Sequence, residues 1–337
     1  MERIVELIKT RKKFVIAGHI GPDGDAIGSC LGLAMALGKL GKEAVVILES
    51  TAAKYSIIPG REYIYHGALE ALFVDVFIAL DCGGVDRLGA ARALFDRAQT
   101  TVCIDHHETN DGFAGYNFID PRASSTAEMV LGVIEAITEV DTKIATAIYS
   151  GIVGDTGGFR YSSTSRSTME AAARLMETGI DFTDIYSEML HRHSFEAAKA
   201  FGLALAAAKQ TLGGRIVYTY MTKEMLESVQ AESSDMDSVV EYLMNTRGAE
   251  VALFLYERHT NAKNNKCSAA SDVVAPAELG QVKVSMRSRG FHVGEIAVSL
   301  GGGGHRMAAG CTMAGAIEDV LRQVLELLER ELDAGTK

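Results

Sequence analysis

Four short stretches carry side chains that could do metal chemistry. "GHIGPDGD" holds His19, Asp23 and Asp25, "ALDCGG" holds Asp81, "CIDHHETN" holds Asp105, His106 and His107, and "SGIVGDTGGF" holds Asp155. All are carboxylates or imidazoles. Brought together, so many carboxylates repel one another unless cations neutralise them. Oxygen and imidazole nitrogen ligands without thiolate suit a borderline-to-hard divalent ion, manganese first, with magnesium, iron or cobalt as alternatives. The set has room for two ions bridged by one carboxylate. Two ions roughly 3.5–4 Å apart serve phosphoester hydrolysis by stabilising attacking and leaving oxygens together.

Taken singly, each stretch has a plainer reading. Asp23 and Asp25 stand beside Gly21, Pro22 and Gly24 and would serve as turn formers. The Asp-His-His triplet could cap a helix, and a lone His19 or Asp155 could be a satisfied polar group. Their placement at the ends of successive apolar segments favours a metal centre. "KFVIAGHI" (13–20), "EAVVILE" (43–49), "VDVFIALD" (74–81) and "TTVCIDHH" (100–107) read as strands. The helical segment 25–41 separates the first two, and others are expected at 123–139, 142–154, 165–178 and, as one long helix, about 181–210. Continuous apolar strands alternating with helices predict a parallel sheet covered on both faces, with ligands gathered beyond the carboxyl ends of the strands.

The pattern restarts at "GGRIVYTYM" (213–221). Strands are expected at 215–221, 251–257 and 282–288, with helices near 222–230, 235–246 and 315–333. The predicted organisation is α/β throughout. A catalytic domain (1–190) and a helical connector (191–211) precede a smaller α/β domain (212–337), with the active site in the cleft between the domains. The polar segment 257–281 is expected to be a long loop.

Composition narrows the partners. The chain has 337 residues, 47% hydrophobic and 23% charged, with a formal net charge of −11. It has no basic run such as a protein tracking long nucleic acid uses, so an anionic ligand should be small and locally held. No apolar stretch approaches the roughly 18 residues that span a bilayer, and no signal-peptide core follows the charged N-terminus. Five scattered cysteines without a CxxC pair fit a reduced, cytoplasmic protein.

The four motifs, in this order and spacing, make the sequence similar to the DHH family of phosphoesterases. The C-terminal "KVSMRSRGFHVGEIAVSLGGGGHRMAAGC" resembles the family's smaller associated domain. Within the family the chain most resembles the bifunctional oligoribonucleases (nanoRNases) that also dephosphorylate adenosine 3′,5′-bisphosphate (pAp). The resemblance implies one metal on His19, Asp23 and Asp81 and a second on Asp25, Asp81, His106 and Asp155, with Asp81 bridging. It also implies that His107 faces the substrate phosphate and that Asp105 orients a neighbouring histidine. Substrates would be short RNA, from dinucleotides to pentanucleotides, or nucleotide bisphosphates, and the assembly a homodimer. Long duplexes and membranes would not be partners. Cyclic or linear dinucleotides, pyrophosphate and polyphosphate are alternative substrates, and a sensor without turnover is the non-enzymatic alternative.

In the second domain, "SMRSR" aligns Ser285, Arg287 and Arg289 along one side of a strand. "GGGGHRMAAG" sets His305 behind Gly302, Gly303 and Gly304. Glycines let backbone amides approach a phosphate, arginine's fork suits a terminal phosphate, and a following helix would aim its positive end at the anion. A flexible linker is the plainer reading of four glycines.

Overall fold

The computed structural model describes residues 1–49, 51–231, 236, 238–257 and 280–334; of His305 and Ala334 only the backbone is described. The chain divides into two compact units, Met1–Arg192 and His193–Lys337. The first contains α1 (Glu2–Thr10), β1 (Lys13–Ala17), α2 (Gly24–Lys39), β2 (Glu43–Ile47), β3 (Val76–Leu80), α3 (Arg92–Asp96), β4 (Thr100–Asp105), β5 (Tyr116–Ile119), α4 (Thr126–Glu135), α5 (Thr142–Asp155), α6 (Arg166–Glu177) and α7 (Phe182–Leu190). The second contains α8 (Phe195–Ala206), β6 (Lys209–Thr211), β7 (Ile216–Met221), α9 (Lys223–Val229), α10 (Ser238–Met244), β8 (Val251–Glu257), β9 (Gln281–Ser288), α11 (Val293–Ser299), β10 (Gly303–His305), β11 (Ala308–Ala314) and α12 (Ile317–Ala334).

The first sheet is wholly parallel, in the order β2-β1-β3-β4-β5. Its strands read as unbroken apolar runs because both faces are buried. Phe14, Ile16, Ile78, Leu80, Val102 and Ile104 face the layer containing α2, α4 and α5. Val15, Ala17, Phe77, Ala79 and Cys103 face Leu88, Leu94 and Phe95 around α3. The chain leaves β1 toward β2 on one side and returns at β3 on the other. β1 and β3 therefore flank the point where strand order reverses, the usual ligand position in an open parallel sheet.

The second sheet is mixed, in the order β10-β11-β9-β8-β7-β6. Leu253, Leu255, Val284 and Met286 pack with Val293, Val324 and Leu328 on one face. Ala252 and Phe254 pack with Ala200, Ala204, Leu226 and Val240 on the other.

Two sequence expectations change. The helix expected over about 181–210 is two helices, α7 and α8, because Ser194 restarts the backbone by accepting the Ala197 N–H. The segment after the glycines is not a helix but a hairpin, β10 turning through Arg306 and Met307 into antiparallel β11. In β11 buried Ala309 and Cys311 alternate with less buried neighbours, the period of a half-buried strand. Glycine is required there by the hairpin itself. A Cβ at Gly302 would lie 2.2 Å from the Gly310 carbonyl, and Gly304 has φ +140°. Most of the expected loop 257–281 (258–279) falls outside the described residues.

α2 and α5 lie backbone to backbone, so a Cβ on Gly28 would sit 2.3 Å from the Ala147 carbonyl oxygen. Gly28→Ala is therefore expected to cost about 1–3 kcal/mol through overpacking. Denaturant unfolding checks this, and an unchanged midpoint would contradict the close approach.

Candidate metal centre

His19 follows β1, Asp81 follows β3, and Asp105 ends β4 with His106 and His107 beyond it. Asp23 caps α2, accepting the Asp25 and Ala26 N–H groups at 3.0 and 3.1 Å. Asp25 lies in the first turn of α2, and Asp155 is the last residue of α5. The structure thus draws six of these groups from separate segments to two neighbouring corners. His19 Nε2 lies 3.7 Å from Asp23 Oδ1 and 3.5 Å from Asp81 Oδ2. His106 Nε2 lies 3.1 Å from Asp155 Oδ2, 3.6 Å from Asp81 Oδ1 and 4.0 Å from Asp25 Oδ2. One oxygen of Asp81 faces each corner.

Asp81 is 2% exposed and adopts φ +59°, a left-handed backbone that a non-glycine residue holds at a cost on the order of 1–3 kcal/mol. Its N–H still donates to the Ile104 carbonyl. The left-handed turn therefore comes immediately after the last ladder bond of the strand.

Electrostatics at this centre are unfavourable without cations. Burial, then Asp81 and Asp23, push the Asp155 carboxyl up to about 8. Asp155 also ends α5, the helix end that disfavours a carboxylate. Asp25 is raised well above the usual carboxylate range by burial and by Asp81, Asp155 and Asp23. Two helix N-termini offset part of this. α2 begins at Asp23, and α4 donates the Thr126 and Ala127 N–H groups to the two oxygens of Asp25 at 2.6 and 2.8 Å. Burial opposes the charged form of His19, but its hydrogen bonds to Asp23 and Asp81 outweigh that and raise it to about 10.

The donor chemistry fits divalent cations. His19 Nδ1 lies 2.9 Å from the Ile20 carbonyl oxygen and 3.2 Å from Arg87 Nη2, while Nε2 faces Asp23 and Asp81 and is the candidate ligand atom. Nε2 meets only carboxylate oxygens, so some positive charge must stand between them. His19, Asp23 and Asp81 form one group, and Asp25, His106 and Asp155 another, each with donor atoms within 4.8 Å of one another. A third such group joins Asp81 to His106 and His107. Burial lifts the thiols of Cys30, Cys82 and Cys103, which keeps thiolate out of the set.

Asp105 bonds His107, its Oδ1 accepting from Nδ1 at 2.7 Å. Asn110, which residue-type reasoning passed over, donates to the other Asp105 oxygen at 2.7 Å and to the Cys82 carbonyl at 2.9 Å. It therefore ties the end of β4 to the residue after Asp81. Thr126 was equally missed; it donates through Oγ1 to Asp81 Oδ1 at 3.1 Å. Arg87 brings Nη2 to 3.4 Å from the Ile20 carbonyl, beside His19. The spacing of His19, Asp23 and Asp25 signalled a site. Asn110 gave only the weaker hint of lying within "DHHETN".

In the second unit, Ser285 and Arg287 lie on β9. Cross-strand register pairs Ser285 with Gly310 and Arg287 with Ala308, which in turn pair with Gly303 and His305. Gly304 pairs with Ala309, and Gly302 precedes β10. Arg287 makes an ion pair with Glu241 at 3.8 Å. Arg289 lies beyond the end of β9 and donates to the Met244 carbonyl at 2.8 Å.

A parallel sheet ends here in two carboxylate–imidazole corners that share one aspartate, an arrangement that could hold divalent cations. Residues 13–152 match the DHH family N-terminal domain and residues 213–334 the DHHA1 domain. The chain belongs to the DHH family. A bifunctional oligoribonuclease and PAP phosphatase of Thermus thermophilus is 31% identical over 98% of this chain and 94% of its own length. A protein of the same description from Bacillus subtilis is 26% identical over 91% of this chain and 92% of that protein. An exopolyphosphatase-related protein from Bacteroides fragilis shares the architecture with a TM-score of 0.83 at 25% identity, covering 98% of this chain and 97% of that one. Among the described residues, no helix is long and apolar enough to cross a membrane.

The pKa shifts give a signed expectation for the cation-free protein. Asp155 is raised from 3.8 to about 8, so the folded state holds the extra proton across that window and stability falls as pH rises through it. His19, raised from 6.5 to about 10, adds stability that is full below 6.5 and lost as pH climbs through 10. With chelator present, the melting temperature should fall from pH 5 to pH 9. Saturating Mn2+ should abolish that fall, because the ions displace these protons. A chelated protein that gains stability over the range would contradict the assigned centre.

Proposed function

We propose that this chain hydrolyses short oligoribonucleotides, from dinucleotides to pentanucleotides, to mononucleotides, and converts adenosine 3′,5′-bisphosphate to AMP, with two manganese ions as cofactor. The observation that carries the reading is Asp81, whose two oxygens face two separate ligand corners. The descriptions of the relatives from Thermus thermophilus and Bacillus subtilis support the choice of substrates.

His19, Asp23 and Asp81 would hold one ion, and Asp25, Asp81, His106 and Asp155 the other. When bound, such a pair supplies Lewis acidity to a phosphoryl group and lowers the pKa of water. The chain's own residues do the rest. His107 gives Nδ1–H to Asp105, which leaves Nε2 as its working atom. The Asp105 bond is the largest influence on His107 and raises its pKa, which favours the protonated imidazole that can donate from Nε2 to the leaving oxygen. Asp105 stays ionised: burial opposes this, but bonds from His107 and Asn110 hold its pKa below the usual carboxylate value. In the second unit, Ser285, Arg287, Arg289, His305 and the amides of Gly302, Gly303 and Gly304 would bind phosphate.

Turnover with Mn2+ is expected on a dinucleotide, a pentanucleotide and pAp, and to be weaker on cyclic di-AMP and pyrophosphate; a preference for pyrophosphate would overturn the substrate assignment. Asp81→Ala should lower kcat below detection while the protein stays folded by circular dichroism. Arg287→Ala should raise KM for pAp by about 10- to 100-fold, the worth of a charge-assisted hydrogen bond, and leave kcat nearly unchanged.

A further inference from the structure

One residue outside the ligand set is hydrogen-bonded to two of its carboxylates, Asp25 and Asp81. Thr126, fully buried at the start of α4, donates its backbone N–H to Asp25 Oδ2 at 2.6 Å and its hydroxyl to Asp81 Oδ1 at 3.1 Å. Asp81 Oδ1 is the oxygen that faces His106, whereas Oδ2 faces His19. The Thr126 hydroxyl therefore touches only the half of Asp81 that serves the Asp25–His106–Asp155 corner.

Thr126 is itself held in place. Ser125 caps α4 by accepting the Glu128 N–H. Glu128 in turn accepts the Ser124 N–H and hydroxyl at 3.1 and 2.6 Å, the Ser167 hydroxyl at 2.7 Å and the Thr168 hydroxyl at 2.8 Å. This network fastens the first turn of α4 to the start of α6. The hydroxyl is thus presented to Asp81 from a fixed backbone.

We propose that Thr126 is a positioning residue that sets the orientation of the bridging carboxylate and so selects for occupancy of the second cation site, the one formed by Asp25, His106 and Asp155. The proposal rests on the two-cation reading above. Losing a hydrogen-bonded partner of a ligand characteristically weakens metal binding about 10- to 100-fold. Because the side chain contacts Oδ1 alone, that loss should fall on one ion.

The test is an electron paramagnetic resonance titration of the full chain with Mn2+. The parent should bind two ions and show a coupled pair at saturation. Thr126→Val removes the hydroxyl but retains shape and the backbone bond to Asp25. It should bind the first ion as the parent does and the second about 10- to 100-fold more weakly, with kcat falling and KM unchanged. Thr126→Ser keeps the hydroxyl and should restore the second ion. Thr126→Ala gives the same readout should the valine variant fail to fold. If the parent binds two ions and the hydroxyl-free variant binds both equally tightly, the positioning role is wrong. Equal weakening by serine and valine would likewise overturn it in favour of packing. A parent that binds fewer than two ions would refute the underlying two-cation reading instead.

Discussion

The constraint on which this structure depends is the crowding of carboxylates in a place poorly served by water. Asp25 and Asp81 are almost wholly buried, and Asp155 lies within the same cluster. Desolvation penalises each charge, and proximity penalises them jointly. Two helix N-termini and the imidazoles of His19 and His107 soften the repulsion without removing it. The resulting demand for positive charge, together with the division of donors into two corners, is what points to a pair of divalent cations.

The fold accommodates this crowding by drawing its charged groups from rigid elements. Parallel strands deliver His19, Asp81 and the Asp105–His107 triplet to one edge, and the close pairing of α2 with α5 brings Asp25 beside Asp155. Rigidity continues one layer out. Asn110 links the ends of β3 and β4, and α4 grips Asp25 while its own start is anchored to α6 through Glu128. These partners hold the ligands where relaxation alone would separate them.

Much of this was legible in the residues. The apolar strands are recognisable because both faces of the first sheet are buried, and polar ligands stand out where such strands end. Other features obey rules that a linear pattern hides. Thr126 sits in a run of small hydroxyl residues that reads as helix capping, and only the fold reveals that its hydroxyl reaches Asp81, forty-five positions away. The β10–β11 hairpin is hidden in the sequence because glycine carries no side chain with which to show alternation. The division between α7 and α8 turned on Ser194, a cap hidden between two helix-forming segments.

The most direct test of the central claim is anomalous scattering at the manganese edge from crystals grown with Mn2+. The account predicts two peaks on opposite sides of Asp81, about 3.5–4 Å apart, one against His19 and Asp23 and the other against Asp25, His106 and Asp155. A lone peak, or peaks that leave Asp81 unligated, would contradict it.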